Sequence, residues 1–306
     1  MKAWKAALIF LIGGLSFGIT PVFSKLGFAA GFSLGEIIWR QMLISFIILW
    51  SITAVKKHNG KKLSRKNVIT LMLSGTLASL TNVFYYASML YIPASIAVIL
   101  VFQFVWIGVL YDWLFSKIIP QKTTLVSVAI TLVGIFLAAN VTSGEVVKMP
   151  LLAIIFGFCS AFCFAGFIYA SGKVAKKVDP LIRTSLMVSG SLILITIIFP
   201  PSITIESMTN SVWIYSLGVA IFGSILPPLL FSISAPHLPN SICSILGTVE
   251  LPMTVIMAKV VLSENITLIQ WFGVLIILIG ISFKEVNSWI FKFFDKKNNI
   301  KEGVNS

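Results

Sequence analysis

The sequence has few charged residues. Only 11% of its 306 residues are charged, whereas 58% are hydrophobic, and the mean hydropathy is +1.00. A soluble globular chain has about 25% charged residues, so a soluble enzyme or binding domain is excluded. The apolar residues form runs of about 18–23, the length at which a helix crosses a bilayer core. The apolar/polar alternation of β-barrel strands is missing.

Features that support other chemistries are also scarce. The chain has no GxxxxGK[ST] loop, which argues against a nucleotide-driven pump. Its two histidines, His58 and His237, lie in or beside polar loops, away from any serine within a span. The three cysteines all fall inside apolar segments, which argues against a disulfide framework. We therefore expect no enzyme, no metal site and no cofactor.

Ten apolar segments are long enough to be membrane helices. We place them at residues 4–24, 36–55, 67–90, 93–115, 123–140, 150–171, 181–199, 212–234, 239–261 and 267–285. Short polar connections separate them, so no soluble domain has room for a core of its own. The predicted fold class is an all-α polytopic membrane protein with ten transmembrane helices.

The positive charge is distributed unevenly. If the N-terminus is cytoplasmic, nearly all of the 23 Lys and Arg residues fall on the cytoplasmic side of the ten spans. Enrichment of Lys and Arg in short cytoplasmic loops is the positive-inside rule. It accounts for the net charge of +13 without a nucleic-acid partner. We predict a multi-pass protein of the cytoplasmic membrane with both termini inside and residues 287–306 as a cytoplasmic tail.

The chain contains an internal repeat. The segment from Tyr91 aligns without a gap with the segment from His237, an offset of 237 − 91 = 146 that pairs Pro93 with Pro239. We predict two five-helix repeats, residues 1–141 and 149–286. Because five is odd, the second repeat enters the membrane from the opposite side. Inverted repeats are typical of secondary transporters that bind substrate near the bilayer midplane.

A carboxylate within the ninth span is the strongest site candidate. Ionisable groups in a membrane are costly, so Glu250 should face a cavity or protein instead of lipid. Pro252, two residues later, leaves the Thr248 carbonyl without its helical donor. Burial disfavours the charged form of a carboxylate, so Glu250 is also the candidate for proton coupling. The structural alternative is a protonated Glu250 that only hydrogen-bonds a neighbouring helix.

Polar and aromatic residues of three other spans complete the predicted substrate-binding site: Thr20, Asn82, Tyr86, Gln103 and Trp106. Asn82 and Tyr86 share a face of the third span, and Gln103 and Trp106 share a face of the fourth. Aromatic walls with a few polar groups suit small amphipathic ligands such as neutral or aromatic amino acids. For Thr20, the alternative is that its hydroxyl only satisfies backbone or lets helices pack closely.

Other residues within or near the spans have separate interpretations. Pro227 and Pro228 are predicted to break the eighth span near its centre and, with Pro252, are candidates for a kink or gate. Arg40 is interpreted as a side chain that snorkels to the outer surface, and Asp112 as an interfacial group near the inner end of the fourth span.

Several motifs occur in a fixed order and twice. They are Leu238-Pro239-Asn240-Ser241, Glu250 near a proline, Ser263-Glu264 and Trp271–Gly280 in the second half, with Ile92-Pro93-Ala94-Ser95, Leu132–Ile135 and Arg40 in the first. In these motifs the chain resembles two copies of the EamA domain of the drug/metabolite transporter superfamily. It departs from the pattern where Leu251 separates Glu250 from Pro252 and where Ser116-Lys117 replaces an acid. The resemblance implies a central cavity between the halves and export of amino acids or related metabolites.

We therefore expect a secondary transporter that works by alternating access, in the efflux direction and with proton coupling. An importer of a sugar or vitamin on the same fold is the alternative, and an intramembrane enzyme is a weaker one. The expected partners are a small-molecule substrate and the lipid bilayer. One copy of the chain is sufficient for this function, with a homodimer as the alternative.

Overall fold

The computed structural model describes residues 1–56, 63–92, 94–139, 150–201 and 211–283, and the regular structure within these ranges is helical. Ten helices follow one another: α1 (Ala3–Ala29), α2 (Leu34–Val55), α3 (Arg65–Met89), α4 (Ala94–Val101 and Phe104–Ser116), α5 (Lys122–Ala138), α6 (Leu151–Lys173), α7 (Pro180–Ile198), α8 (Val212–His237), α9 (Asn240–Val260) and α10 (Leu268–Phe283). Eight are long and apolar enough to cross a membrane, and α5 and α10 are shorter apolar helices. The predicted polytopic helical fold is confirmed. The predicted tail, residues 287–306, lies outside the described residues.

Polar side chains mark where several of these helices begin. Ser33 and Glu36 form a capping box at the start of α2, in which each side chain bonds the other's backbone N–H. Ser64 caps α3 in the simpler way, by accepting from Asn67. Asp179 accepts the Leu181 N–H at 2.8 Å at the start of α7. Because the spans are apolar on nearly every face, such caps define the helix starts better than periodicity does.

The spacing of the helix starts reveals the repeat. Helices α2 and α7 begin at residues 34 and 180, α4 and α9 at 94 and 240, and α5 and α10 at 122 and 268. Each pair differs by 146, the offset of the gapless alignment in the sequence. Helices α3 and α8 begin 147 residues apart, at 65 and 212. The repeat therefore extends beyond the segments whose residues can be aligned.

Equivalent helices also make equivalent contacts. Helix α1 packs on α8 and α9, and its counterpart α6 packs on α3 and α4. The second segment of α4 packs on the first segment of α9. Gly108 meets Ser244 and Asp112 meets Ser241, so these counterparts run antiparallel. At the α5–α10 crossing, Gly134 lies against Ile277 and Gly280 lies against Thr131. Since 131 + 146 = 277 and 134 + 146 = 280, this is one contact made twice. The ten helices form two inverted five-helix repeats.

The main hydrophobic core joins the two halves. Phe10 of α1 stacks on Phe231 of α8 with 4.0 Å between ring centroids. Phe104 of α4 packs edge-on against Phe164 of α6 at 4.7 Å. All four side chains are buried in one cluster that also includes Leu246 of α9. This shared core holds α4 and α9, the helices that carry the candidate site, against both halves.

Candidate functional site

Helices α4 and α9 are each interrupted near the middle. The first segment of α4 ends at Val101 and the second begins at Phe104, while the segments of α9 end at Gly247 and begin at Glu250. Both ends of the interruption differ by 146, since 101 + 146 = 247 and 104 + 146 = 250. The two breaks therefore occupy the same position in the two repeats. Paired discontinuous helices at a repeat interface are where secondary transporters place substrate and ion sites.

The backbone passes each break through a tightened turn. In α4 the Gln103 N–H donates to the Leu100 carbonyl at 3.2 Å, and in α9 the Val249 N–H donates to Leu246 at 3.2 Å. These bonds span three residues instead of four, as in a 3₁₀-helix. The carbonyl of Ile99 is thereby left without its usual donor, and the Gln103 side-chain amide bonds it at 3.0 Å.

The break in α9 is closed by the same kind of contact. The Thr248 hydroxyl donates to the Ile245 carbonyl at 2.7 Å, and Ile245 is the counterpart of Ile99. The α4 break has no proline, because Trp106 stands where α9 has Pro252. Pro252 lies in the first turn of the second segment, where its missing N–H is tolerated. The breaks are therefore a property of the repeat, and Pro252 is not needed to produce one.

Glu250 is the first residue of the second α9 segment. Its backbone carbonyl packs against Gly18 of α1, where a Cβ would not fit. The residue lies deep among protein atoms and yet keeps some accessible surface. Within the described ranges the Glu250 carboxylate makes no hydrogen bond or ion pair. The Tyr85 hydroxyl is close enough to interact with it electrostatically. An acceptor without an internal partner is available to a ligand.

Helix α3 supplies two adjacent tyrosines, of which Tyr85 is close to Glu250. Tyr85 and Tyr86 contact each other edge-on at 5.4 Å, and both keep accessible surface although protein surrounds them. Tyr86 also interacts with the Ser24 hydroxyl and packs edge-on against Phe28 of α1 at 6.4 Å. Asn82, one turn earlier in α3, is partly exposed. The structure thus brings Tyr85 to Glu250 and Tyr86 to α1.

Gln103 and Trp106 contact each other as their spacing suggested. The Trp106 indole N–H donates to the Gln103 side-chain oxygen at 2.8 Å. Because the Gln103 amide nitrogen also bonds Ile99, the amide uses one donor and one acceptor to hold the α4 break together. Both side chains remain partly exposed. Gln103 therefore has a structural role, whereas the sequence had suggested only a role in substrate binding.

Thr20 belongs to a different polar cluster. Its hydroxyl lies beside Gly223 of α8, next to the Gln41 amide of α2, and is buried without a hydrogen-bond partner in the described chain. The Gln41 amide donates to the Ser224 hydroxyl at 2.5 Å. Sequence reasoning missed Gln41 and Ser224. The signal for Gln41 was an amide within a span, the criterion that had selected Asn82.

Pro227 and Pro228 do not interrupt α8. The helix continues from Val212 to His237, and a π-helical turn at Ala220–Ile225 comes immediately before the two prolines. Both prolines occupy the first turn of the following α-helical segment. A π-turn widens the helix and is frequent at functional sites. Here it carries Gly223 and Ser224 to Thr20 and Gln41.

Arg40 does not snorkel to the surface. Its side chain is 5% exposed, donates to the Glu36 carbonyl at 3.2 Å and lies over the Trp213 ring at 5.5 Å. An arginine on an aromatic face is partly desolvated but electrostatically favourable. The interfacial interpretation was wrong because periodicity within one helix cannot show that α8 supplies an aromatic partner.

The fold is that of a polytopic membrane protein built from inverted repeats. Comparison with known proteins agrees. The model of the EamA-like transporter family matches residues 4–140 and again 151–283. The chain therefore belongs to the EamA-like transporter family.

Two individual proteins are similar to this chain. An uncharacterized transporter of Synechocystis sp., sll1319, is 27% identical over 219 residues, which are 68% of this chain and 64% of that protein. The match thus spans less than two thirds of the relative's length. A protein of known crystal structure superposes with a TM-score of 0.76 at 12% identity, covering 92% of this chain and 98% of the other. That likeness shows the fold alone.

Proposed function

We propose that this membrane transporter is a secondary carrier of small amphipathic metabolites, with amine-bearing compounds such as amino acids as its main substrates. The observation that carries the proposal is Glu250, a carboxylate with no partner of its own in the described chain, beside Tyr85 and at the break of α9. A carboxylate attracts an ammonium group, and aromatic rings accept both apolar surface and cations.

The inverted repeats support alternating access as the transport mechanism. Two halves with the same fold and opposite orientation can exchange their packing arrangements, which opens the space between them to one side and then to the other. The paired breaks of α4 and α9 supply bending points at matching depths. We propose that Glu250 binds a proton and an amine in turn, so that proton entry drives efflux.

An importer of a sugar or vitamin is the second candidate. Asn82, Tyr85 and Tyr86 present neutral polar groups on partly exposed aromatic and amide side chains, which also suit a polyhydroxylated ligand. The two candidates differ in whether the ligand needs a positive charge.

Counterflow in proteoliposomes tests the proposal. Vesicles with purified protein are loaded with unlabelled amino acids, amines, sugars or vitamins, and uptake of the labelled compound is measured. We expect exchange of amine-bearing compounds and little exchange of sugars. Exchange of sugars without exchange of amines would reverse the order of the two candidates, and exchange of neither class would reject both.

A further inference from the structure

A second polar cluster lies at the crossing of α4 and α9, away from Glu250. Asp112 of α4 is 1% exposed, and Asn240 and Ser244 in the first segment of α9 are 4% and 0% exposed. The two helices approach closely because Gly108 leaves room for the Ser244 hydroxyl. Asp112 is therefore buried between the repeats and not at the interface with lipid head groups, so that sequence-based interpretation was wrong.

Two of the five polar side-chain atoms of this cluster are bonded within the protein. One oxygen of Asp112 accepts the Ser241 backbone N–H at 2.6 Å, and the Asn240 amide nitrogen donates to the Gly108 carbonyl at 2.8 Å. The latter bond also fixes which end of the Asn240 amide is the oxygen. The other Asp112 oxygen, the Asn240 side-chain oxygen and the Ser244 hydroxyl are buried with no hydrogen-bond partner among the described residues.

Ser244, like the buried Ser79, Ser127 and Ser216, does not make the local hydrogen bond that other helical serines of this protein make. Ser45, Ser171, Ser185 and Ser234 each donate to the carbonyl four residues earlier. Ser244 makes no such bond, and its hydroxyl is directed to the α4 crossing instead. At this crossing, three buried oxygen atoms from two helices thus lack a hydrogen-bond partner among the described residues.

The charge of Asp112 needs compensation. The ion pairs of the described ranges are Lys25–Glu264 and Lys56–Asp179, and neither includes Asp112. The titratable neighbours of this region are Cys243 and Lys173, and the Lys173 ammonium lies over the Tyr169 ring at 5.6 Å. The remaining compensation is the N-terminus of α9. A buried carboxylate in such surroundings is stabilised by a bound cation.

We propose that Asp112, Asn240 and Ser244 bind one Na⁺ ion between the two repeats. Carboxylate, amide and hydroxyl oxygens are hard ligands that suit alkali and alkaline-earth cations. A single negative charge matches a monovalent ion, and the described chain has no cluster of three or more His, Cys, Asp or Glu residues that would hold a metal of higher charge. Because its ligands come from counterpart helices, the ion stabilises the α4–α9 crossing. This site is independent of the substrate class proposed above.

Binding of Na⁺ is measured on the purified full-length protein in detergent. The melting temperature is followed while NaCl replaces choline chloride at constant ionic strength, and binding of ²²Na⁺ is measured directly. We expect a saturable rise in melting temperature of about 3 °C or more, retention of one ²²Na⁺ per chain, and a smaller response to KCl.

Variants of the cluster residues test whether the Na⁺ response comes from this site. Asp112→Asn keeps an acceptor for the Ser241 N–H but removes the charge, so we expect the Na⁺ response to be lost. Ser244→Ala removes one ligand and should weaken ²²Na⁺ binding at least about tenfold. Asp179→Asn is the matched control, because Asp179 also caps a helix but is paired with Lys56 at 3.0 Å.

The outcomes are decisive without a transport assay. A wild-type protein that shows no saturable response between pH 6 and 8, an equal response to K⁺, or an Asp112→Asn variant that still retains ²²Na⁺ would each overturn the proposal. If Asp112→Asn does not fold, the Ser244→Ala titration alone decides. Loss of metabolite exchange with intact Na⁺ binding would reject the proposed substrates and leave this site standing.

Discussion

Replacing Glu250 by glutamine tests the centre of the proposed transport mechanism. The change keeps the size and hydrogen-bonding capacity of the side chain and removes its charge. Since the Glu250 carboxylate has no hydrogen bond or ion pair within the described ranges, no internal partner is left unpaired. We therefore expect the free energy of unfolding to change by less than about 1 kcal/mol.

The effect on an amine-bearing substrate is much larger. An ammonium about 4 Å from a carboxylate gains about 4 kcal/mol at an effective dielectric constant of about 20. After desolvation, a hydrogen bond to a charged group contributes about 1.5–3 kcal/mol. Losing it raises Kd by about 10- to 150-fold. The variant should also transport at a rate that no longer depends on pH, because no carboxyl group remains to exchange the coupling proton.

Efflux from proteoliposomes across a range of pH and substrate concentration measures both effects. Glu264→Gln is the matched control, because Glu264 is an exposed glutamate that pairs with Lys25 and should leave the pH profile unchanged. If Glu250→Gln transports with the wild-type pH profile and affinity, Glu250 only stabilises the fold, and coupling occurs elsewhere.

Three further predictions concern the fold. Gly273→Ala should lower the melting temperature by several degrees, because its Cβ would meet the α5 backbone. Gly166→Ala is the control, because its Cβ would meet only side chains, the end of a leucine at 3.2 Å and a tyrosine ring at 3.8 Å. Gln103→Met should destabilise the protein by about 1–3 kcal/mol in a denaturant titration by leaving a carbonyl and an indole N–H unpaired; a smaller loss would mean that water replaces the amide. After replacement of the native cysteines, Lys56→Cys should react with a membrane-impermeant thiol reagent only from the cytoplasm and Lys25→Cys only from outside. Labelling of both from one side would contradict the predicted membrane crossing of α2.

The paired breaks of α4 and α9 bear on how the two repeats could move. Phe104 and Glu250 begin equivalent segments, so one repeat places an apolar ring where the other places the carboxylate. The backbone is symmetric here while the chemistry is not. In the proposed mechanism, the carrier bends at these two matching points and binds its ligand at one of them.

The sequence alone determined the class of protein and its symmetry. Low charge and long apolar runs require a membrane, because water cannot solvate that much apolar surface. The offset of 146 was already visible in paired prolines and glycines, and an odd number of helices in each half required inversion. The choice of Glu250 as a site candidate also followed from the sequence, since a carboxylate in an apolar span has few structural explanations.

Only the tertiary structure decided which polar groups are paired. Judged from its own helix alone, Asp112 is placed at the membrane interface and Arg40 at the surface. The partners that bury these two side chains lie far away in the chain, in α9 and α8. The breaks in α4 and α9 were equally hidden, since one occurs without proline and depends on a side-chain amide that bonds the released carbonyl. Membrane spans are apolar on most faces, so the sequence cannot specify which face meets which neighbour. That choice depends on close contacts between helices, such as those of Gly108 and Gly134.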